Sequence, residues 1–167
     1  MSQLNYRDAK HSDLKKIVEI YNTTIASRMV TADLEPVTTE SREKWFAEHS
    51  ADNRPLWVIE SENEIIGWLS FQSFYGRPAY NATVEISIYL DPEVRGKGYG
   101  KIVLEYAINN APKYGIKTLL GFIFSHNEPS IKLFKHFGFE EWANLPNIAN
   151  LDDAEYGLKI LGKRIAI

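Results

Sequence analysis

Two groups of residues in this 167-residue chain have types and spacing suited to chemistry. The first is Arg95-Gly96-Lys97-Gly98-Tyr99-Gly100-Lys101, whose glycines stand at alternate positions between an apolar run and a helical stripe. Glycine lets a backbone approach a polyanion closely, and successive backbone N–H groups at a helix start bind phosphate. The run is not a Walker A loop, because no Gly-Lys-Ser/Thr ending occurs, and it is not G-x-G-x-x-G either, so a dinucleotide-binding fold is disfavoured. Taken alone it reads equally well as a flexible charged turn. The second group centres on Glu85. Across Thr83 to Leu90, Val84, Ile86, Ile88 and Leu90 alternate with Glu85, Ser87 and Tyr89, a period of two that gives the carboxylate a fixed side of a strand. Such a carboxylate can act as a base. An amine with a pKa near 10 costs roughly 4 kcal/mol to deprotonate at pH 7, and a carboxylate can relay that proton through water. On the residues alone, a strand carboxylate facing solvent or paired with an Arg fits Glu85 slightly better.

The elements that must position these groups follow from periodicity and breakers. Gln3 to Asp8 predicts a strand, and Ser12 caps a helix carrying Leu14, Ile17, Val18 and Tyr21. Thr38 and Thr39 cap a second helix with Trp45, Phe46 and His49, which Arg54-Pro55 ends. Leu56 to Ser61 and Ile65 to Ser73 flank Glu62-Asn63-Glu64 as a hairpin. After the Glu85 strand, Asp91-Pro92 stops the chain, the glycine loop follows, and Ile102, Val103, Tyr106 and Ala107 form a helix closed by Pro112 and Gly115. Thr118 to Phe124 is a buried strand, so Val84 to Phe124 predicts a parallel βαβ unit with its ligand end at the carboxyl edge. Asn127 and Pro129 start a short helix with Ile131, Phe134 and Phe137, stopped by Gly138. Weaker strands are expected near Glu141 to Ile148 and Tyr156 to Leu161.

Composition narrows the function classes. The length suits one domain with its own core. Nineteen basic against 22 acidic residues give a charge of −3, which argues against a nucleic-acid partner. The absence of cysteine excludes a disulfide framework, a thiolate nucleophile and a Cys-containing zinc site, and fits a reducing cytoplasm. Met1 to Lys10 has no apolar targeting region, and no run of 18 apolar residues predicts a membrane span. His11, His49, His126 and His136 stand at no recognised ligand spacing, so no metal is expected, and no Gly-x-Ser-x-Gly elbow supports a hydrolase triad.

The glycine loop in this setting resembles the GNAT superfamily of N-acetyltransferases. Arg95, Gly98 and Gly100 fill that family's loop motif, and Asn127-Glu128-Pro129-Ser130 with Phe137-Gly138-Phe139 looks like its second segment. Nearly the whole chain further resembles the phosphinothricin acetyltransferase-like branch, which includes acetyltransferases of methionine sulfone and methionine sulfoximine. The matching residues are Arg7-Asp8-Ala9, Ile20-Tyr21-Asn22, Glu35-Pro36-Val37-Thr38, Arg77-Pro78-Ala79-Tyr80 and Thr83-Val84-Glu85. The resemblance implies an α/β GNAT fold, with a single mixed central sheet of six to seven strands and helices on both faces, forming one N-acetyltransferase domain over residues 1–167. It implies acetyl-CoA as co-substrate, with its pantetheine along Ile88, Tyr89 and Leu90 in the manner of an added strand. Arg95 and Gly96, Lys97, Gly98, Tyr99, Gly100 and Lys101 would hold the pyrophosphate, and Asn127 the pantetheine arm. Glu85 becomes the base. Substrate would be met by Tyr75, Gly76, Arg77 and Tyr80, then by Glu85, Ile86 and Ser87; a guanidinium with a phenol suits a carboxylate, phosphinate or sulfone. A homodimer is also implied.

The chain departs from the branch at three places. Phe134 stands where a Tyr or His commonly donates a proton to the departing thiolate, and Phe cannot. Pro146 to Asp153 replaces a Gly-x-Lys-x-Gly-x-Trp-x-Asp segment, and Ser27 to Leu34 differs from a Thr- and Phe-containing stretch. The expected reaction is direct acetyl transfer to the amine of a small amino-acid-like substrate. Its rivals are a protein N-terminus or polyamine as acceptor, and a non-catalytic acyl-CoA-binding module.

Overall fold

The computed structural model describes residues 3–165; Met1, Ser2, Ala166 and Ile167, the ends of the expected 1–167 domain, lie outside the described residues. Alternation of apolar and polar residues builds one seven-stranded sheet, in the order β1-β2-β3-β4-β5-β7-β6. Its strands are β1 Asn5–Asp8, β2 Leu56–Ser61, β3 Glu64–Ser73, β4 Thr83–Leu90, β5 Thr118–Phe124, β6 Glu140–Leu151 and β7 Ala154–Arg164. All neighbours are antiparallel except β4 and β5. The mixed sheet and its helices fit the expected fold.

Helices cover both faces. On one, α3 (Tyr99–Asn110) and α4 (Glu128–His136) bury Val103, Leu104, Ala107, Ile131 and Phe134 against Leu69, Phe71, Val84, Ile86 and Leu119. On the other, α1 (Leu14–Asn22) and the short α2 (Glu43–Ala47) pack Ile17, Ile20, Tyr21, Trp45 and Phe46 on Leu56, Val58, Trp68 and Tyr89. The period of two thus puts Val84 and Ile86 on the α3/α4 face and sends Glu85, Ser87 and Tyr89 to the α1/α2 face.

Several local expectations shift. The first strand begins at Asn5, and α1 is preceded by a 3-10 turn in which Asp13, not Ser12, organises the start. The Asp13 carboxylate accepts from Lys10 N at 2.7 Å and from Arg7 Nη1 at 2.8 Å, so a buried acid held by a cation supersedes a surface hydroxyl. Thr38 does cap, its Oγ1 accepting from Ser41 N at 3.1 Å. The β2–β3 turn is tighter than expected because Glu62 and Asn63 both take positive φ, which brings Glu64 into β3. Asp152 and Asp153 do the same between β6 and β7, lengthening both strands beyond the expected ends.

Candidate functional site

The parallel contact between β4 and β5 lasts only three pairs: Thr83 with Thr118, Val84 with Leu119 and Glu85 with Leu120. Beyond them each strand stays bonded to its outer neighbour, β4 to β3 as far as Leu90 with Gly67, and β5 to β7 as far as Phe124 with Leu158. The facing edges therefore part at Ile86 and Gly121, leaving a wedge whose β4 side has backbone groups unclaimed by β5. Gly67 permits the close run of β3 here, since a Cβ would stand 2.6 Å from the Tyr89 carbonyl oxygen.

A cavity of about 600 Å³ fills the wedge. Arg95, Gly100, Leu133 and Phe134 line it from the α3/α4 face, and Thr24, Thr31 and Ile148 from the other, so it passes through the sheet. Phe134 lies flat in this wall because Gly121 has no side chain: a Cβ there would meet Phe134 Cε2 at 2.7 Å. The volume is within the range of small-molecule sites, about 300–1,000 Å³.

At the α3/α4 end, Gly96 and Gly98 take φ of 76° and 82°, and Gly98 is the left-handed residue from which α3 starts. No side chain caps that start, so the first N–H groups of α3 are open to an anion. Arg95, Gly96, Lys97, Gly98 and Lys101 are exposed, and Arg95 Nη2 donates to Leu90 O at 3.2 Å, tying the loop to the end of β4. Tyr99 differs from its neighbours: its side chain is buried in the core, so only its backbone faces the loop. The unpaired edge at Ile88, Tyr89 and Leu90 leads directly here. These parts fit a phosphate-bearing, strand-like ligand such as the pantetheine arm and pyrophosphate of CoA.

Glu85 sits where the strands part. Among the described residues no group hydrogen-bonds its carboxylate, and burial alone pushes its pKa from 4.5 up to about 7. A carboxylate so poised holds or releases a proton near neutral pH. Ser87 and Tyr89, next on the same face, line the cavity with it, as do Ile86 and Ile88.

A second cavity, of about 190 Å³, lies on the α1/α2 side of β4. It shares Glu85, Ser87 and Tyr89 with the first and is completed by Tyr21, Arg42, Trp45, Trp68 and Gln72 among others. Tyr89 stacks on Trp68 at 4.6 Å, and Tyr21 packs against Tyr89 at 5.1 Å. Sequence reasoning missed this chamber. Its only local signal was the period that placed Trp68 and Gln72 on the Glu85 side of β3.

The other expected contacts are not all brought to the wedge. Tyr75, Gly76, Arg77 and Tyr80 line neither cavity; Tyr75 is 79% exposed and Tyr80 43%. They stand one ring away, because Phe74 contacts both tyrosines and stacks at 6.5 Å on Phe122, which lines the wedge. Asn127 is buried and also off the cavity wall. Its Oδ1 caps α4 through Ser130 N at 3.4 Å, and its Nδ2 donates to Met29 O at 3.1 Å, so its amide is engaged by protein on both sides.

That second bond belongs to a strap, the segment 27–37 after α1, which is built of turns and bends. Tyr21 OH bonds to Thr31 Oγ1 and Asp33 Oδ2, Arg42 Nη2 donates to Asp33 at 2.7 Å, and Asn22 holds both backbone groups of Val37. Arg28 reaches across to Asp152 in the β6–β7 turn, Nε to Oδ2 at 2.8 Å. The strap thereby forms one lip of the cavity and β6, through Ile148 and Ala149, the other.

Among the described residues no group of three or more His, Asp or Glu could hold a metal ion, and no helix is long and apolar enough to cross a membrane. Residues 16–139 match the Acetyltransferase (GNAT) family. The chain is 54% identical over 164 residues, 98% of its length and all of the relative's, to Bacillus subtilis YwnH, provisionally named a phosphinothricin acetyltransferase. It is 30% identical to the L-methionine sulfoximine/L-methionine sulfone acetyltransferase of Pseudomonas aeruginosa, over 85% of this chain and 83% of that one. The crystal structure of a GNAT superfamily phosphinothricin acetyltransferase from Sinorhizobium meliloti, in complex with acetyl-CoA, superposes with a TM-score of 0.91 at 27% identity, covering 99% of this chain and 90% of that one. The parted strands, the glycine loop at the head of α3 and these likenesses converge: the chain belongs to the GNAT family and is an N-acetyltransferase.

Proposed function

We propose that the protein uses acetyl-CoA to acetylate the amino group of a small amino-acid-like substrate of the phosphinothricin, methionine sulfone or methionine sulfoximine type, by direct transfer. The observation that carries this reading is Glu85: an unpartnered carboxylate with a pKa near 7 at the fork of β4 and β5. Acetyl-CoA supplies the acetyl group as a thioester. The chain holds it at the unpaired β4 edge from Ile88 to Leu90 and at the Arg95–Lys101 loop. Glu85 takes the proton of the acceptor ammonium through water, freeing the nucleophile, and backbone N–H groups near Ile88 polarise the acetyl carbonyl. Phe134 has no proton to give, so the thiolate leaves unassisted by α4, which a thiol pKa near 8.5 makes tolerable.

Among the described residues Glu85 is the one acidic side chain on the wedge wall, whereas a polyamine would want an acidic pocket. A homodimer and a cytoplasmic location belong to the same proposal. The dimer is supported by apolar side chains exposed along the edge strand β6, Trp142 at 46% and Ile148 at 56%, and by Tyr75; a partner covering Tyr75 would enclose Arg77 and bring it into use. The experiment is thiol release from acetyl-CoA against phosphinothricin, methionine sulfone, methionine sulfoximine, ordinary amino acids, polyamines and a peptide N-terminus. Turnover confined to the first three is expected. Turnover only on another amine overturns the substrate class and leaves the mechanism; silence across the panel overturns the proposal.

A further inference from the structure

We propose that Arg54 is the positioning residue that holds the 74–82 loop in the posture in which it meets the acceptor. The inference rests on the reading that this loop, through Arg77 and Tyr80, is brought to the acceptor; Arg54 itself lines neither cavity. The loop joins the end of β3 at Ser73 to the start of β4 at Thr83. From Tyr75 to Asn81 every residue is exposed, so little packing fixes it. Tyr75 and Gly76 turn it at φ of 58° and 65°, a left-handed conformation that a tyrosine keeps only where its surroundings impose it. Phe74 carries the posture of the loop to the wedge wall through its stack on Phe122 at 6.5 Å.

The hold on the loop is at its two ends. Arg54 Nε donates to Ser73 Oγ at 2.9 Å and Nη2 to Asn81 O at 2.8 Å, so one planar guanidinium spans the mouth of the loop. Nη1 is taken by Asn53, through O at 3.1 Å and Oδ1 at 3.3 Å. The Arg54 backbone is pinned in turn by two bonds with Ser50, at 2.9 and 3.2 Å, just before Pro55 leads into β2. The fork therefore has a fixed base. Arg54 is 5% exposed, yet among the described residues no carboxylate answers its charge: the oxygens it meets are neutral, and burial alone pulls its pKa down. An interior cation without an acid is costly, and an unbranched apolar chain would fill the space without that cost. The span of the fork gives the charge its use. It ties β3 to β4 across the loop, which neither the apolar stem of Met nor the point charge of Lys can do.

Three substitutions test this: Arg54→Met removes fork and charge, Arg54→Lys keeps the charge alone, and Ser73→Ala cuts one arm. With the fastest acceptor from the panel, both Arg54 variants should raise acceptor KM about tenfold and Ser73→Ala about threefold, within the roughly 10²-fold that a misplacement of about 1 Å costs. Acetyl-CoA KM, and kcat at saturating acceptor, should stay at wild-type values. A wild-type acceptor KM in both Arg54 variants would overturn the proposal. So would a wild-type value in Arg54→Lys alone, which would reduce Arg54 to a charge. Parallel rises in both KM values would overturn it too, because they would mark a loosened sheet instead of a displaced loop. Should Arg54→Met fail to fold, Ser73→Ala decides. Arg77→Ala is run beside them: if it leaves acceptor KM unchanged, the loop reading falls and the role of Arg54 with it, whereas a raised KM in Arg77→Ala beside normal Arg54 and Ser73 variants removes the role of Arg54 alone.

Discussion

Replacing Glu85 with Gln should exchange activity for stability, and the pH at which it does so is set by the structure. Glu85 titrates at about 7 in the folded protein against an ordinary 4.5, because burial disfavours its charge. The folded state therefore holds this proton more tightly than the unfolded state. Below about pH 4.5 both are protonated and the residue imposes no penalty; the penalty grows from there to about pH 7 and is complete above it. The gap between 4.5 and about 7, at about 1.4 kcal/mol per pH unit, amounts to at most about 3 kcal/mol, since partial hydration from the two cavities reduces it. Gln keeps the shape and cannot ionise. At pH 8 the variant should gain up to about 3 kcal/mol, or roughly 6–10 °C in Tm for a chain of this size, and at pH 5 less than about 1 kcal/mol. Its turnover should fall by about 10²–10⁴ near pH 7 and recover partly as the pH rises and free amine accumulates. Urea melts at pH 5 and 8, paired with thiol-release assays, measure both. Parallel stability curves for the two proteins across that range would refute the claim that Glu85 is desolvated at the fork, even if activity were lost.

Three further substitutions probe the surroundings. Gly98→Val puts a β-branched residue at φ 82° where α3 begins; left-handed strain of about 1–2 kcal/mol should re-aim the loop and weaken acetyl-CoA binding about tenfold by calorimetry, while the fold survives. Gly121→Ala drives a Cβ to 2.7 Å from Phe134, so it should cost about 1–3 kcal/mol in a thermal melt, and Phe134→Leu in the same chain should restore most of it. Asn127→Ala should lose about 1 kcal/mol of capping energy in urea melts; because its amide holds Met29, acceptor KM should rise more than acetyl-CoA KM, and the reverse order would assign Asn127 to the pantetheine arm.

Much of this arrangement was legible from local pattern. The alternation from Val84 to Leu90 placed Glu85 on a definite face, and glycines 96, 98 and 100 marked the loop because left-handed backbone and close approach leave a compositional trace. The parting of β4 and β5 leaves none. It depends on where two distant strands stop sharing hydrogen bonds, and Thr118 to Phe124 reads as an ordinary buried strand throughout. The length of β6 was hidden because Asn144, Pro146, Asn147 and Asn150 look like loop residues; on an edge strand with register shifts they need only one bonded side. Asn127 read as both cap and ligand because a cap uses one side of the amide, and only the tertiary contact with Met29 shows the other side taken.

The two ends of the wedge are made differently, and this explains why the sequence speaks clearly about one and not the other. The end proposed for the donor is backbone: an unpaired strand edge, two left-handed glycines and an uncapped helix start, features that any acceptor specificity can share. The end proposed for the acceptor is side chains on two irregular segments, the strap and the β6–β7 hairpin, clasped by Arg28 and Asp152 across a long stretch of sequence. Those are the two segments, Ser27 to Leu34 and Pro146 to Asp153, that depart from the resembling branch. Because the sheet carries Glu85 and the loop independently of that clasp, the lips can change while the transfer chemistry stays in place. The acceptor is therefore to be sought by varying the amine against a fixed donor, and on the proposed arrangement Val30, Thr31, Ile148 and Ala149, which line the lips, are the residues to exchange alongside it.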